Sequence, residues 1–262
     1  MKHAVLFGFL LLLFVFPLFV LVGYALDPAW RYPQLFPDHI DFRSLSFLVR
    51  EAGPLSRHMG GALLYSLSAV VTTLVMCYVP ARILARVPFS GRNLLEGFLL
   101  APALVPPMTF AMGLHFMFIK IGLADTLPGV ILVVSMYSYP YMLRALIAGF
   151  QATGDDYVLC AENLGAGRWT RLIRIEFPML VPSIMAGGSV VFLVAFSEYF
   201  LVFLIGGGAV PSFTGYLFPL LSSSDRSLGS ALTLVFVFVP LMLFVMMEWF
   251  VGRAYRRMGL DV

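Results

Sequence analysis

Charged residues divide the chain into long stretches that hold none. The charge-free windows run 3–26, 58–81, 97–119, 126–143, 177–197 and 227–247, with a further one at 199–224. A helix that crosses the hydrocarbon of a bilayer needs about 20 largely apolar residues. The first six windows supply that number or nearly so. Window 126–143 is short, and the pattern predicts that its helix continues past Arg144 from Ala145 to Phe150, with the arginine near the interface. Window 199–224 opens apolar, then turns into Gly206-Gly-Gly-Ala-Val-Pro211 and Ser222-Ser-Ser224. It reads as the end of the fifth span plus a loop, with room for a short re-entrant stretch. The apolar run of the first window exceeds the roughly 7–15 residues of a signal-peptide core, so a retained helix is expected. The expectation is an all-α membrane protein: six transmembrane helices forming a single domain over 1–262, with 27–58 an extracytoplasmic loop and 151–178 a cytoplasmic one.

Composition agrees. The chain is 60% hydrophobic and 12% charged, against about a quarter charged in an average soluble domain. A net charge of +3, spread along the sequence, gives no basic patch for nucleic acid. Cys77 and Cys160 provide no disulfide framework, and the four histidines form no HExxH. The only lysines, Lys2 and Lys120, precede His3 and Ile121, so there is no phosphate-binding loop and no expectation of ATP hydrolysis by this chain. No metal site is expected.

Lys and Arg set the orientation. With the N-terminus inside, eleven basic residues are cytoplasmic: Lys2, Arg82, Arg86, Arg92, Arg144, Arg168, Arg171, Arg174, Arg253, Arg256 and Arg257. Six are outside, and the four in loop 27–58 are balanced by Asp27, Asp38, Asp41 and Glu51. Both termini are therefore expected inside. Prolines recur within the spans, at Pro102, Pro106 and Pro107 in the third, then Pro140, Pro182 and Pro240. Carbonyls freed by proline need protein or water partners in lipid, so these positions should face protein. They read either as ordinary kinks or as the bends of a bundle around a pathway.

The segment 151–178, QATGDDYVLCAENLGAGRWTRLIRIEFP, carries the most local information. Asp155 and Asp156 suit a helix N-terminus, where carboxylates offset unpaired amides. Tyr157, Val158, Leu159, Ala161 and Leu164 put an apolar stripe on the short helix that follows, and Gly165 suits the left-handed residue that ends it. A second amphipathic turn, Trp169 to Ile175, leads to Pro178 and back into the membrane. An apolar stripe outside the bilayer fits either the lipid surface or a partner's groove.

Here the chain resembles the permease subunits of binding-protein-dependent ABC importers. Their cytoplasmic signature is Glu-Ala-Ala, three residues, Gly, nine residues, Ile-x-Leu-Pro. Nine residues separate Gly165 from Ile175-Glu176-Phe177-Pro178. At the Glu-Ala-Ala positions stand Leu159-Cys160-Ala161, so only the second Ala survives. Leu164-Gly165-Ala166 and Arg168-Trp169 are similar to the family as well. So are Ser66-Leu67 as the opening of the second helix, Pro88-Phe89-Ser90-Gly91-Arg92, Pro102 with Pro106, Gly122-Leu123 with Asp125-Thr126, and Tyr139-Pro140-Tyr141. The likeness runs nearly without a break from about 60 to 255.

The resemblance implies a type I ABC importer bundle in a bacterial inner membrane. It implies ABC ATPase subunits, which would bind the ATP and Mg, a second permease subunit (a different chain by preference), and an extracytoplasmic substrate-binding protein. The chain itself would hold no cofactor and perform no covalent chemistry. Leu159, Cys160, Ala161, Glu162, Leu164, Gly165, Ala166, Trp169, Ile175 and Pro178 would form the ATPase-coupling surface.

Glu198 is the one charge between apolar windows. It marks a pathway, or a carboxylate at the outer interface or paired with the second subunit. In the pathway it would offer a counter-charge to a cation, with Phe196, Tyr199, Phe200 and Phe203 as aromatic faces. This run looks most like the spermidine/putrescine branch, so a polyamine-like cation is the first expectation; ferric ion, thiamine, sulfate and sugars are the alternatives. Tyr137, Tyr139 and Tyr141 are further pathway candidates or packing aromatics. His115 reads as an interhelical hydrogen bond or a proton-linked group, Asp225 and Arg226 as a solvated pair, and Arg253 to Arg257 as a topology anchor. An ion-coupled transporter would need more intramembrane polar groups or discontinuous helices than these windows display. A membrane enzyme would need a paired catalytic constellation, and none is evident.

Overall fold

The computed structural model describes residues 2–31, 33–37, 39–222 and 225–257. Asp38, Ser223 and Ser224 lie outside the described residues, as do the side chains of Lys2, Arg256 and Arg257. Among the described residues every regular element is helical.

Five helices are long and apolar enough to cross a bilayer: α1 (Lys2–Leu26), α3 (Ala52–Arg86), α6 (Leu127–Thr153), the run ending in α9 (Phe177–Ser197), and α12 (Arg226–Arg257). The short helix α2 (Arg43–Arg50) precedes α3. The third window departs from expectation. It is split between α4 (Arg92–Leu100), a 3₁₀ turn at Ala101–Leu104, and α5 (Pro107–Lys120), which diverge by 98°. Proline is the cause. Val105 and Pro106 each precede a proline, and both are extended, at ψ 129° and 138°. Two successive residues also lack the N–H that would continue the ladder. The third window is thus a bent pair rather than a straight helix, and the pair makes a sixth crossing where it counts as one span. α3 starts earlier than expected, so Ser66-Leu67 lies well inside it: Pro54 falls in its first turn, where proline is tolerated.

The chain forms two compact units, one of residues 61–211 and one of residues 1–60 with 212–262. In the 61–211 unit, α6 and α9 make the most extensive helix pair. Small residues let them close: a Cβ on Gly187 would lie 2.8 Å from that of Ala145, and one on Gly149 would collide with the Ser183 side chain. Inside this unit Val133, Val134, Met142, Leu146, Leu180, Val191 and Phe196 are buried. Arg144 is exposed, and α6 runs past it to Thr153, three residues beyond the expected Phe150. Thr126 caps α6 by accepting from the Gly129 N–H at 3.1 Å. α10 (Phe200–Gly206) packs on α5 and α6.

In the other unit, α1 lies along α12, and α2 and α11 (Phe213–Leu221) pack on α12. Polar groups tie their ends. Ser227 donates to the Ala25 carbonyl at 3.3 Å and shares a hydrogen bond with Ser44. Asp27 is buried and accepts from the Ala29 N–H at 2.9 Å. Asp225 pairs with Arg43 rather than with Arg226, and also accepts from the Leu228 N–H at the start of α12. Most of α1 presents Leu and Phe outward, as a helix does whose solvent is lipid or another subunit.

Candidate functional site

Between α6 and α9 the chain leaves the bundle as α7 (Asp156–Asn163), turns at Gly165, and returns through α8 (Arg168–Arg171) and a π-helical turn at Leu172–Glu176. The turn has the hydrogen bonds of a Schellman motif. Ala166 N–H bonds the Ala161 carbonyl and Gly165 N–H bonds the Glu162 carbonyl, both at 2.9 Å. Gly165 takes φ +82°, the left-handed value its position requires. Glu162 on α7 pairs with Arg171 at 2.7 Å, so the two short helices are also joined by charge.

The expected apolar stripe divides into two faces. Val158 and Ala161, one turn apart, are buried. Tyr157, Leu159, Leu164, Trp169 and Ile173 are exposed, Leu164 at 83% and Trp169 at 75%. Cys160, Glu162 and Gly165 are exposed too, while Ala166, Ile175 and Pro178 are half-buried. Asp155 occupies the N-cap of α7 without making a capping hydrogen bond. Its carboxylate turns to Arg86 instead, at 2.9 Å.

That arginine belongs to a cluster given no role by the sequence reasoning. Glu176, at 5% exposure, accepts from the Tyr78 hydroxyl at 2.5 Å and pairs with Arg82 at 3.0 Å and Arg86 at 3.8 Å. Arg86 donates to the Gly154 carbonyl at 2.8 Å and lies 4.9 Å over the Phe150 ring, which in turn meets Tyr78 edge-on at 5.5 Å. The available signal was an acid placed where an apolar window begins. Arg82 and Arg86 satisfy the positive-inside pattern by themselves, so nothing in the sequence points from them to Glu176.

The pathway candidates separate. α9 ends at Ser197, and Glu198 and Tyr199 link it to α10. The Glu198 carboxylate accepts from the Leu201 N–H at 3.4 Å, where α10 exposes unpaired amides. Tyr199 stacks on Phe203 at 5.4 Å and meets Phe200 at 5.3 Å, so three of the expected aromatics do gather beside the acid. Tyr137, on α6, has its ring 5.6 Å from that of Phe110 on α5. Phe196 stacks on Phe192 at 5.6 Å and is fully buried, which makes it a packing residue and no wall of a pathway. The His115 Nδ1 is buried without the expected interhelical hydrogen bond among the described residues. Those residues also contain no cluster of potential metal ligands.

Residues 81–260 match the family model described as the binding-protein-dependent transport system inner membrane component. A molybdate/tungstate transport system permease protein of Thermococcus kodakarensis is 27% identical over 65% of this chain and 68% of its own length. A sulfate transport system permease protein of Escherichia coli is 28% identical over 54% and 56% of the two chains. A trehalose transport system permease protein of Mycobacterium tuberculosis is 25% identical over 87% and 89%. The match to the sulfate protein thus spans little more than half of that relative. In fold, the chain is similar to a crystal structure of a bacterial ABC transporter involved in alginate import. The TM-score is 0.72, with 15% identity and 94% of each chain covered.

Proposed function

Because the chain belongs to the family of inner membrane components of binding-protein-dependent transport systems, we propose that it is the translocation subunit of an ATP-driven importer in a bacterial inner membrane. In this reading it docks separate ATPase subunits through the 156–171 loop, pairs with a second permease subunit, and receives substrate from an external binding protein. ATP and Mg belong to the ATPase, and this chain contributes a two-state conformational equilibrium that ATP and the loaded binding protein bias.

One observation carries the docking assignment. The loop holds a closed, hydrogen-bonded turn that displays Leu159, Leu164 and Trp169 outward on the segment between α6 and α9. Isolated exposed apolar residues need no partner, but a grouped set on a rigid turn fits a groove. The test is purification of the tagged chain from its host in mild detergent, with partners identified by mass spectrometry. An ATPase and a second permease should be recovered, and Trp169→Ala should reduce the ATPase selectively. Recovery of the chain alone, folded and well expressed, overturns the assignment.

Two substrate readings stand. A polyamine-like cation is supported by the Glu198 carboxylate with the ring cluster of Tyr199, Phe200 and Phe203 next to it in the chain. An oxyanion or a sugar is favoured by the molybdate, sulfate and trehalose systems of the relatives, and by the use of Glu198 as an acceptor for the start of α10. The co-purified binding protein, screened by calorimetry with spermidine, molybdate, sulfate and trehalose, decides between them.

A further inference from the structure

The motif that places Gly165, Ile175 and Pro178 leaves position 176 open, yet Glu176 is among the few buried charged residues. Burying a carboxylate is costly unless partners satisfy it. Here Tyr78, Arg82 and Arg86 all belong to α3, whereas Glu176 closes the segment that returns from the loop. Arg86 also holds the loop's other end, through the Asp155 carboxylate and the Gly154 carbonyl. Both ends of the 154–176 excursion are therefore fastened to the last turns of one helix, the 154–155 end by Arg86 and the Glu176 end by Tyr78 and Arg82 with Arg86 farther off.

The excursion also faces that helix across open space. A cavity of about 660 Å³ opens between them, lined by Tyr78 and Arg82 on one side and by Glu162, Trp169, Arg171 and Leu172 on the other. The ion pairs at the edge of this gap, Arg82 and Arg86 with Glu176, are a direct link from the excursion to α3.

We infer that Glu176 is a positioning residue that fastens the 154–171 loop to the Arg86 end of α3 and transmits the loop's displacement to that helix. The inference rests on the coupling reading above. It goes beyond it by naming the link through which docking would act on the spans. Glu176→Gln preserves shape and an acceptor for Tyr78, but removes the charge that both arginines meet. A coupling link of this kind is expected to show as a change in relative motion rather than as loss of fold.

The experiment uses the complete complex with its ATPase. Nitroxide labels are placed on α7 by Asn163→Cys, an exposed position outside the named coupling residues, and on α3 by Val79→Cys, a position 59% exposed, in a Cys160→Ser background; Cys77 is buried. Labelled chain is diluted with unlabelled chain so that one pair dominates the signal. The inter-label distance is read with and without ATP plus vanadate. In the wild-type background the distance should be the same in both states, because loop and helix move together. Glu176→Gln should make the distance shift or broaden with nucleotide, and Glu176→Asp, which keeps the charge, should restore most of the wild-type behaviour. Tyr78→Phe should show a smaller shift of the same kind, and it decides the matter alone if Glu176→Gln does not assemble. A nucleotide-independent distance in the variants overturns the inference. So does a nucleotide-dependent one in the wild type. Wild-type chain that purifies without an ATPase overturns the coupling reading itself, a result seen before any variant is made.

Discussion

Replacing Gly165 separates backbone strain from crowding. The residue sits at φ +82°, yet a Cβ built there meets no atom within 4 Å. Substitution therefore introduces no clash within the chain, only the roughly 1–2 kcal/mol that an L-residue pays in the left-handed region. That cost corresponds to about a 5–30-fold loss in the population of the closed turn. It opens the end of α7 and displaces the neighbouring Leu164 and Trp169. Insertion and overall fold should survive, since Val158 and Ala161 are the only buried residues of α7. Asn tolerates left-handed φ and β-branched residues do not. The ATPase retained by detergent-purified chain should therefore fall in the order Gly165, Gly165→Asn, Gly165→Ala, Gly165→Val. Quantitative immunoblotting at limiting ATPase measures this. If retention follows side-chain volume instead, with Ala above Asn, then the partner senses space and the conformational argument is refuted. Full retention by Gly165→Val removes Gly165 from docking altogether.

Two further outcomes are expected from thermal melting in detergent. Gly207→Ala should lower the midpoint more than Gly208→Ala: both positions have positive φ, but a Cβ on Gly207 would collide with the Asp125 carboxylate while one on Gly208 meets open space. Equal shifts would show that the Asp125 approach contributes nothing. Glu198→Ala should cost about 0.5–1 kcal/mol by removing the acceptor at the start of α10, while Glu198→Gln, which keeps an acceptor, should melt close to wild type. A Gln variant as unstable as the Ala variant would mean that charge, not the hydrogen bond, is what the site uses.

In a bilayer the absence of charge is a structural signal, because an unpaired ion at depth is costly. That is why α1 and α9 match their charge-free windows closely, while α6 and α12 run about ten residues past theirs, through Arg144 and on to Arg257. The same signal is blind to backbone chemistry. Window 97–119 contains no charge and still fails to form one helix, since Val105-Pro106-Pro107 cannot carry the ladder. Local backbone chemistry was legible where a single residue decides it: Gly165 at the end of α7 needed only its position after the stripe. Side-chain direction was not. α9 is apolar around its whole circumference, and a helix without a polar face keeps no record of which side is packed. Phe196 and Tyr199 were therefore indistinguishable in the sequence, although the fold buries one against Phe192 and leaves the other beside Glu198 and Phe203.

The arginines show how two readings of one residue combine. Arg82, Arg86 and Arg171 were evidence for orientation because cations accumulate on one side of a membrane. In the fold all three meet acids, Glu176, Asp155 and Glu162, and so bind the 154–176 excursion together. Pairing does not cancel the topological argument, since orientation is set by Lys and Arg while nearby acids contribute little. It does change what charge remains on the loop. Arg168 and Arg174 are exposed and form no ion pair among the described residues. They flank Trp169 and Ile173, the exposed apolar residues of the return segment. A surface with an apolar centre between two unpaired cations is complementary to an apolar groove with an acidic rim, and the long-range part of that attraction speeds encounter more than it deepens affinity. Docking strength would then come from Leu164 and Trp169, orientation from the arginines, and rigidity from the Gly165 turn and the Glu162–Arg171 pair, each residue acting at a different stage of the same contact.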